Sequence, residues 1–113
     1  MPYINLKTTK KLDTGATEAL KKALGEAIAL IPGKSERWLM INLEGECTMA
    51  LAGEMDNCAM LEVEIFGKAS NDAYDALTKK LCELVNETIG IPADRVYVKY
   101  AEVGHWGYNG FNF

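Results

Sequence analysis

The chain has 113 residues, of which 49% are apolar and 25% charged, and its formal net charge is −4. This composition is ordinary for a globular protein, and the length predicts a single domain spanning residues 1–113. The negative charge and the lack of a Lys or Arg run argue against a nucleic-acid partner. The N-terminus lacks a secretory signal pattern, and no apolar stretch approaches the roughly 20 residues that cross a bilayer, so we expect a cytoplasmic protein without a membrane partner.

Three cysteines, Cys47, Cys58 and Cys82, form neither an even set nor a CxxC pair. We interpret them as reduced thiols, which is typical of cytoplasmic proteins. His105 is the only histidine, and no Cys/His cluster surrounds it in the sequence. We therefore predict neither a metal site nor a cofactor.

The first half of the chain has the pattern of a strand, a helix, a connector and a second strand. "YINLKT" (3–8) and "WLMINL" (38–43) alternate apolar with other residues, as half-buried strands do. Between them, apolar residues recur at helical spacing over residues 15–31. Residues 32–37, "PGKSER", connect this helix to the second strand.

The second half repeats this order, with strands at 60–67 and 96–101, a helix at 71–90 and a connector at 91–95. "LKKALGEAIALIPGKSERWLMI" aligns with "LTKKLCELVNETIGIPADRVYV" at an offset of about 57–60 residues. Strand–helix–strand units with parallel strands are nearly always right-handed. Two such units predict an α+β fold, a tandem β-α-β repeat that forms a four-stranded sheet with both helices on one face.

The other face of the predicted sheet is aromatic and charged, and no remaining segment is long enough to cover it. Such a face meets water, a ligand or other subunits. The short segments "CTMALAG" (47–53) and "GYNGFNF" (107–113) suit edge strands that pair with a neighbouring chain. The residues that we assign to this open face are Tyr3, Asn5, Trp38, Met40, Glu62, Glu64, Phe66, Arg95, Tyr97 and Lys99.

Pro2 follows the initiator methionine, and this position gives it chemistry that an internal proline lacks. If Met1 is removed, Pro2 carries the only secondary amine in the molecule. Such an amine acts as a base only when it is neutral, and burial or a nearby positive charge lowers its pKa in that direction. Lys34, in the first connector, is a point charge suited to an anionic group.

The chain resembles the macrophage migration inhibitory factor family, which belongs to the tautomerase superfamily. The resemblance spans essentially all 113 residues and agrees with the internal repeat. The segments that carry it are "MPYI", "GKSERWLMINL", "CTMALAG", "CAMLEVEIFGK", "LTKKLCELVNETIGIPADRVYVKY" and "GYNGFNF".

This resemblance implies a homotrimer with an active site at each subunit boundary. By position, Pro2 is then the catalytic base and Lys34 binds the substrate carboxylate. The family tyrosine falls on Tyr97, which an adjacent subunit would supply. The backbone before the family's Gly-Lys pair points to Phe66, or to Ile65 if the register slips. The resemblance assigns the aromatic wall of the pocket to Tyr3, Trp38, Tyr108 and Phe113.

Several departures from the family bear on substrate preference. Lys99 replaces the usual asparagine, and it either faces the subunit boundary beside Tyr97 or pairs with Glu62 or Glu64. Trp106 takes a position that is often valine, Tyr108 aligns with the tail tryptophan, and the segment between Tyr100 and Trp106 is shorter than in vertebrate members. The family's CxxC motif, associated with thiol oxidoreductase activity, is broken, because Leu61 stands where the second cysteine would follow Cys58.

The resemblance predicts a phenylpyruvate tautomerase-like isomerase, which interconverts keto and enol forms of a small aryl 2-oxo acid. The alternative is a cytokine-like signalling or host-interaction protein with a protein receptor, exported without a signal peptide, whose tautomerase activity is vestigial or secondary. A third hypothesis is an enzyme that catalyses a different reaction of the superfamily, such as decarboxylation or dehalogenation. Those reactions use additional arginines, and only Arg37 and Arg95 are available.

Overall fold

The computed structural model describes all of residues 1–113. Four strands form one sheet, two helices follow the first and third strands, and a hairpin ends the chain. The strands are β1 (Pro2–Thr8), β2 (Met40–Glu44), β3 (Ala59–Phe66), β4 (Val96–Val103), β5 (Gly107–Tyr108) and β6 (Phe111–Asn112), and the helices are α1 (Thr14–Ala27) and α2 (Asn71–Ile89).

The sheet has the strand order β2-β1-β3-β4, so β1 and β3 are central. β1 pairs in parallel with β2 and antiparallel with β3, and β3 pairs in parallel with β4. Each helix thus connects two parallel strands, as the tandem repeat predicts. The predicted α+β sheet with its two helices is confirmed.

The hydrophobic core lies between the two helices and one face of the sheet. Leu20 and Leu24 of α1 and Leu77 of α2 are fully buried, as are Ile4 and Leu61 of the central strands. Alternation along β1 and β3 is strict, with every second residue buried. Full burial of one such side chain stabilises the fold by about 1.5–3 kcal/mol.

The opposite face carries a row of polar side chains across all four strands. Asn42, Asn5, Glu62 and Lys99 are register partners on successive strands. Asn42 donates to Asn5 at 2.9 Å, Asn5 donates to Glu62 at 3.3 Å, and the Lys99 ammonium lies 3.2 Å from the Glu62 carboxylate. No element of the chain covers this row.

Side-chain caps fix where both helices begin. Asp13 accepts from the amide of Ala16, and Ser70 accepts from the amide of Ala73. α2 ends at Gly90, whose φ of 71° is in the left-handed region that glycine adopts without strain. α1 ends earlier than the predicted 15–31, because its last turn tightens into a 3₁₀ turn.

The structure differs from the sequence prediction at Trp38, and it shows how the two predicted edge segments fold within one chain. Trp38 belongs to a 3₁₀ turn at Glu36–Trp38, and the strand begins only at Met40. The segment 47–53 forms no strand and contributes only a bridge between Leu51 and Glu54. The segment 107–113 forms the short strands β5 and β6, which pair with each other as a hairpin. Pairing of either segment with a neighbouring chain stays a prediction.

Arg95 also departs from its predicted place on the open face. It lies in a 3₁₀ turn at Ala93–Arg95, and its guanidinium donates to four backbone carbonyls of the loop before β3. Two of these bonds are the shortest, 2.9 Å each, to Leu51 and Asp56. The other two, at 3.2 and 3.4 Å, are to Glu54 and Asn57. This arginine therefore organises a loop.

No helix of the structure is long and apolar enough to span a membrane.

We predict that Arg95→Gln lowers the free energy of unfolding by about 1–3 kcal/mol, because the loop carbonyls lose charged hydrogen bonds. Urea denaturation measures the loss, and limited proteolysis should show faster cleavage within residues 51–57. Arg37→Gln is the matched control, since the Arg37 guanidinium makes no hydrogen bond or ion pair within the chain. Equal stability of the two variants would contradict this role for Arg95.

Candidate active site

Three strand ends meet at one edge of the sheet. Because β1 and β2 are parallel, Tyr3 lies beside Met40 at the start of β2. Because β1 and β3 are antiparallel, Pro2 lies beside Ile65 near the end of β3. The connector before β2, which carries Lys34, therefore comes to the same edge. This topology brings the N-terminus, the connector and the end of β3 together.

Met1 makes two contacts at this edge. Its carbonyl accepts from the amide of Phe66 at 2.9 Å, which extends the β1–β3 ladder by one residue. Its amine lies beside the Lys34 side chain. Lys34 is fixed in turn, because its ammonium donates to the Phe66 carbonyl at 2.8 Å and its backbone amide donates to Ile31 at 3.0 Å.

This environment favours a neutral amine at the N-terminus. Burial lowers the pKa of the Met1 amine below its ordinary range, and the charge of Lys34 and a hydrogen bond with Lys34 lower that pKa further. All three effects penalise the ammonium form. Pro2, the next residue, is itself buried.

A cavity of about 540 Å³ opens beside Pro2. It is mostly apolar, with Arg37 and Glu64 as its charged side chains. Cavities of this size with a few polar groups are typical of small-molecule sites. Its lining comprises Met1, Pro2, Tyr3, Arg37, Trp38, Leu39, Met40, Glu64, Trp106, Gly107 and Tyr108.

Aromatic rings from distant parts of the chain form the wall of this cavity. Trp38 meets the Tyr108 ring edge-on at 5.3 Å, and Tyr108 stacks on Phe113 at 6.3 Å. Phe113 also packs 6.0 Å from Phe66. The hairpin that presents these rings turns at Asn109 and Gly110, whose φ values are 54° and 90°. Such positive φ angles at both central residues suit a tight hairpin turn.

Most residues proposed for the site from the sequence lie at this edge. Lys34 and Phe66 contact Met1 and do not line the cavity, whereas Met1 itself is one of its lining residues. The side chain of Ile65 is buried in the core, on the helix side of the sheet. Alternation along β3 therefore favours Phe66. The proposed residues that line the cavity are Pro2, Tyr3, Trp38, Trp106 and Tyr108, and Phe113 packs against Tyr108.

Tyr97 and Lys99 lie away from this edge within one chain. Tyr97 pairs with Met60, six residues before Phe66 on β3, which corresponds to about 20 Å along the sheet. Lys99 pairs with Glu62, and its ammonium forms the ion pair described above. Tyr97 is 61% exposed and lines an apolar hollow of about 200 Å³.

Sequence reasoning did not assign six of the eleven lining residues to the cavity, namely Met1, Arg37, Leu39, Met40, Glu64 and Gly107. Met40 and Glu64 had been assigned to the open face, and both flank Tyr3 in the register. The signal in the sequence was their position on the predicted open face, on strands that pair with β1 at Tyr3. Arg37 precedes Trp38 in the connector, and only the 3₁₀ turn brings it to the cavity.

Solved structures define the class of fold. The MIF2 protein of Leishmania major has a TM-score of 0.93 and 27% identity, over 100% of this chain and 97% of that one. A macrophage migration inhibitory factor homologue from Prochlorococcus marinus has a TM-score of 0.84 and 26% identity, with 98% of each chain covered.

The family model of macrophage migration inhibitory factor (MIF) matches residues 1–113. Macrophage migration inhibitory factor from Xenopus laevis is 27% identical over 115 residues, which cover 100% of this chain and 99% of the relative. The chain belongs to the MIF family, as the sequence resemblance predicted.

We predict that, in the chain that retains Met1, Lys34→Gln raises the pKa of the Met1 amine. The change removes the adjacent positive charge and leaves the burial in place. The pKa should stay below that of a free peptide, since burial also lowers it. An NMR titration of the ¹⁵N-labelled terminal amine measures the shift. Lys80→Gln, at an exposed position of α2, controls for net charge. An unchanged or lowered pKa in Lys34→Gln would contradict the electrostatic role.

Proposed function

We propose that the protein is a keto–enol tautomerase for an aryl 2-oxo acid such as phenylpyruvate, with the Pro2 amine as general base after removal of Met1. The observation that carries this proposal is the pair of contacts that Met1 makes, with the Phe66 amide and with Lys34. Removal of Met1 would leave both groups without that partner, beside the new amine of Pro2.

The two released groups suit a carboxylate. A backbone N–H and an ammonium both donate to anionic oxygens, and such charge-assisted bonds are stronger than neutral ones. Lys34 stays anchored through the Phe66 carbonyl, 2.8 Å from its ammonium. A substrate carboxylate that takes the place of Met1 would therefore sit next to Pro2, which brings the adjacent carbons toward the base.

The reaction then needs one proton to move between two positions of the substrate. Neutral Pro2 takes the proton of the enol hydroxyl and becomes a secondary ammonium. It returns that proton to the neighbouring carbon, where the ketone form gains its C–H bond, and the amine is regenerated. A positioned base contributes on the order of 10²–10⁴-fold to such a step. Trp38 and Tyr108 would pack against the aryl ring of the substrate.

We also propose that the active unit is a homotrimer whose neighbouring chain supplies Tyr97. Support comes from the distance of Tyr97 from Pro2 within one chain and from its exposure beside an apolar hollow. The uncovered row of polar side chains on the sheet is further surface that other copies would enclose.

A second candidate function is cytokine-like signalling through a protein receptor. The name of the relatives, macrophage migration inhibitory factor, describes an effect on cells rather than a reaction. This role does not require turnover. A receptor-binding assay with a Pro2 variant separates the two functions, because binding without catalysis would persist in that variant.

We predict that Pro2→Gly, or a retained Met1, removes most phenylpyruvate tautomerase activity without unfolding the protein. The substitution replaces the secondary amine, and a retained Met1 converts it into an amide. A steady-state assay on mass-verified protein measures the loss, and circular dichroism controls for folding. Full activity of the Met1-retaining chain would rule out the proline mechanism.

We predict that light scattering gives the mass of a trimer at micromolar concentration. In the trimer, Tyr97→Phe should lower activity while the N-terminal amine keeps its titration, since this tyrosine would act from the neighbouring chain. A stable, fully active monomer would contradict the two-chain site.

A further inference from the structure

Arg37 lines the cavity and has no oppositely charged partner. Its guanidinium lies over the Trp38 ring, 5.1 Å from the ring centre. It makes no ion pair, because the chain has only the Lys21–Glu18 and Lys99–Glu62 pairs. Nor does it donate a hydrogen bond, unlike Arg95, whose guanidinium donates four. A stacked guanidinium with free donors is oriented for an incoming anion.

We propose that Arg37 binds a second anionic group of the ligand, so that the site prefers small dianionic acids with a carboxylate at each end. This inference rests on the proposed function, in which Lys34 and the Phe66 amide hold the first carboxylate. The planar fork of a guanidinium matches the two oxygens of a carboxylate. Arg37 is then a specificity-determining residue.

The connector separates the two cations. Ser35 is fully extended, with φ −150° and ψ 164°, and the 3₁₀ turn begins directly after it. Lys34 reaches back to the Phe66 carbonyl, whereas Arg37 lies over Trp38, which contacts Tyr108 at 5.3 Å. A ring packed along the aromatic wall would thus have one cation near each end.

Glu64, the other charged residue of the cavity, lies on a different side. In the register, Tyr3 separates Glu64 on β3 from Met40 on β2. Two strand spacings put about 10 Å between the backbones of β2 and β3. Arg37 enters from the β2 side, three residues before the first residue of that strand, Met40. Repulsion from Glu64 therefore bears less on an anion at Arg37 than on one above β3.

The test compares two unreactive ligands that differ only in the second charge, phenylpropanoate and its para-carboxylated analogue. Calorimetric titration of the Met1-processed protein gives both dissociation constants. We expect the wild type to bind the dicarboxylate more tightly. In Arg37→Gln, the preference for the dicarboxylate, measured as the ratio of the two constants, should fall by roughly tenfold or more.

Arg37→Lys keeps the charge and should retain part of the preference, and Lys80→Gln, which removes an exposed charge on α2, should retain all of it. An unchanged ratio in Arg37→Gln, or equal weakening of both ligands, would overturn the proposal and leave Arg37 as a support for Trp38. Neither ligand carries a 2-oxo group, so binding decides this point independently of turnover. Absence of phenylpyruvate turnover in the wild type would reject the proposed function alone.

Discussion

The central position of β1 in the sheet is the constraint on which the candidate site depends. β1 pairs with β3 from Pro2 onward and with β2 from Tyr3 onward, and Pro2 is buried. Chain termini are mobile unless such contacts tie them down. A terminal amine that serves as a base must keep a fixed distance from its substrate, so a paired, buried start of the chain is a requirement rather than a detail. The same β1–β3 pairing sets the Phe66 amide beside Met1.

Burial patterns made most of the fold predictable from the sequence. Helical and alternating periodicities report which side of an element meets the core, and β1, β3 and α2 follow them closely. Prediction failed where distant packing decides. Trp38 continues the alternation of β2, yet it forms a turn and packs on Tyr108, 70 residues later. The segment 47–53 has the composition of an edge strand, but within one chain it forms only the bridge between Leu51 and Glu54, and its pairing with a neighbouring chain stays a prediction.

The sequence predicts those residues of the candidate site whose chemistry depends on their position along the chain. A proline at the second residue and a lysine in the connector after the first helix are visible in the sequence, and the family resemblance assigned them roles. The choice between Ile65 and Phe66 required the pleat of β3, which buries one and turns the other to the open side. The sequence offered Arg37 only as an available arginine and did not assign it to the cavity, because no spacing rule describes its position. Its place at the cavity follows from the geometry of a three-residue turn.

The two repeats share a fold but not a site, and the reason is topological. At an offset of 57 residues, which matches the starts of α1 and α2, Pro2 corresponds to Ala59 and Lys34 to the buried Ile91. Ala59 lies within the chain, so its nitrogen is an amide and not a base. The first repeat carries Pro2 at the start of β1, and the second repeat contributes Phe66 from the far end of β3, because β3 runs antiparallel to β1. Each chain can therefore supply one Pro2 amine to the proposed site, and an assembly of several copies would hold one such site for each chain.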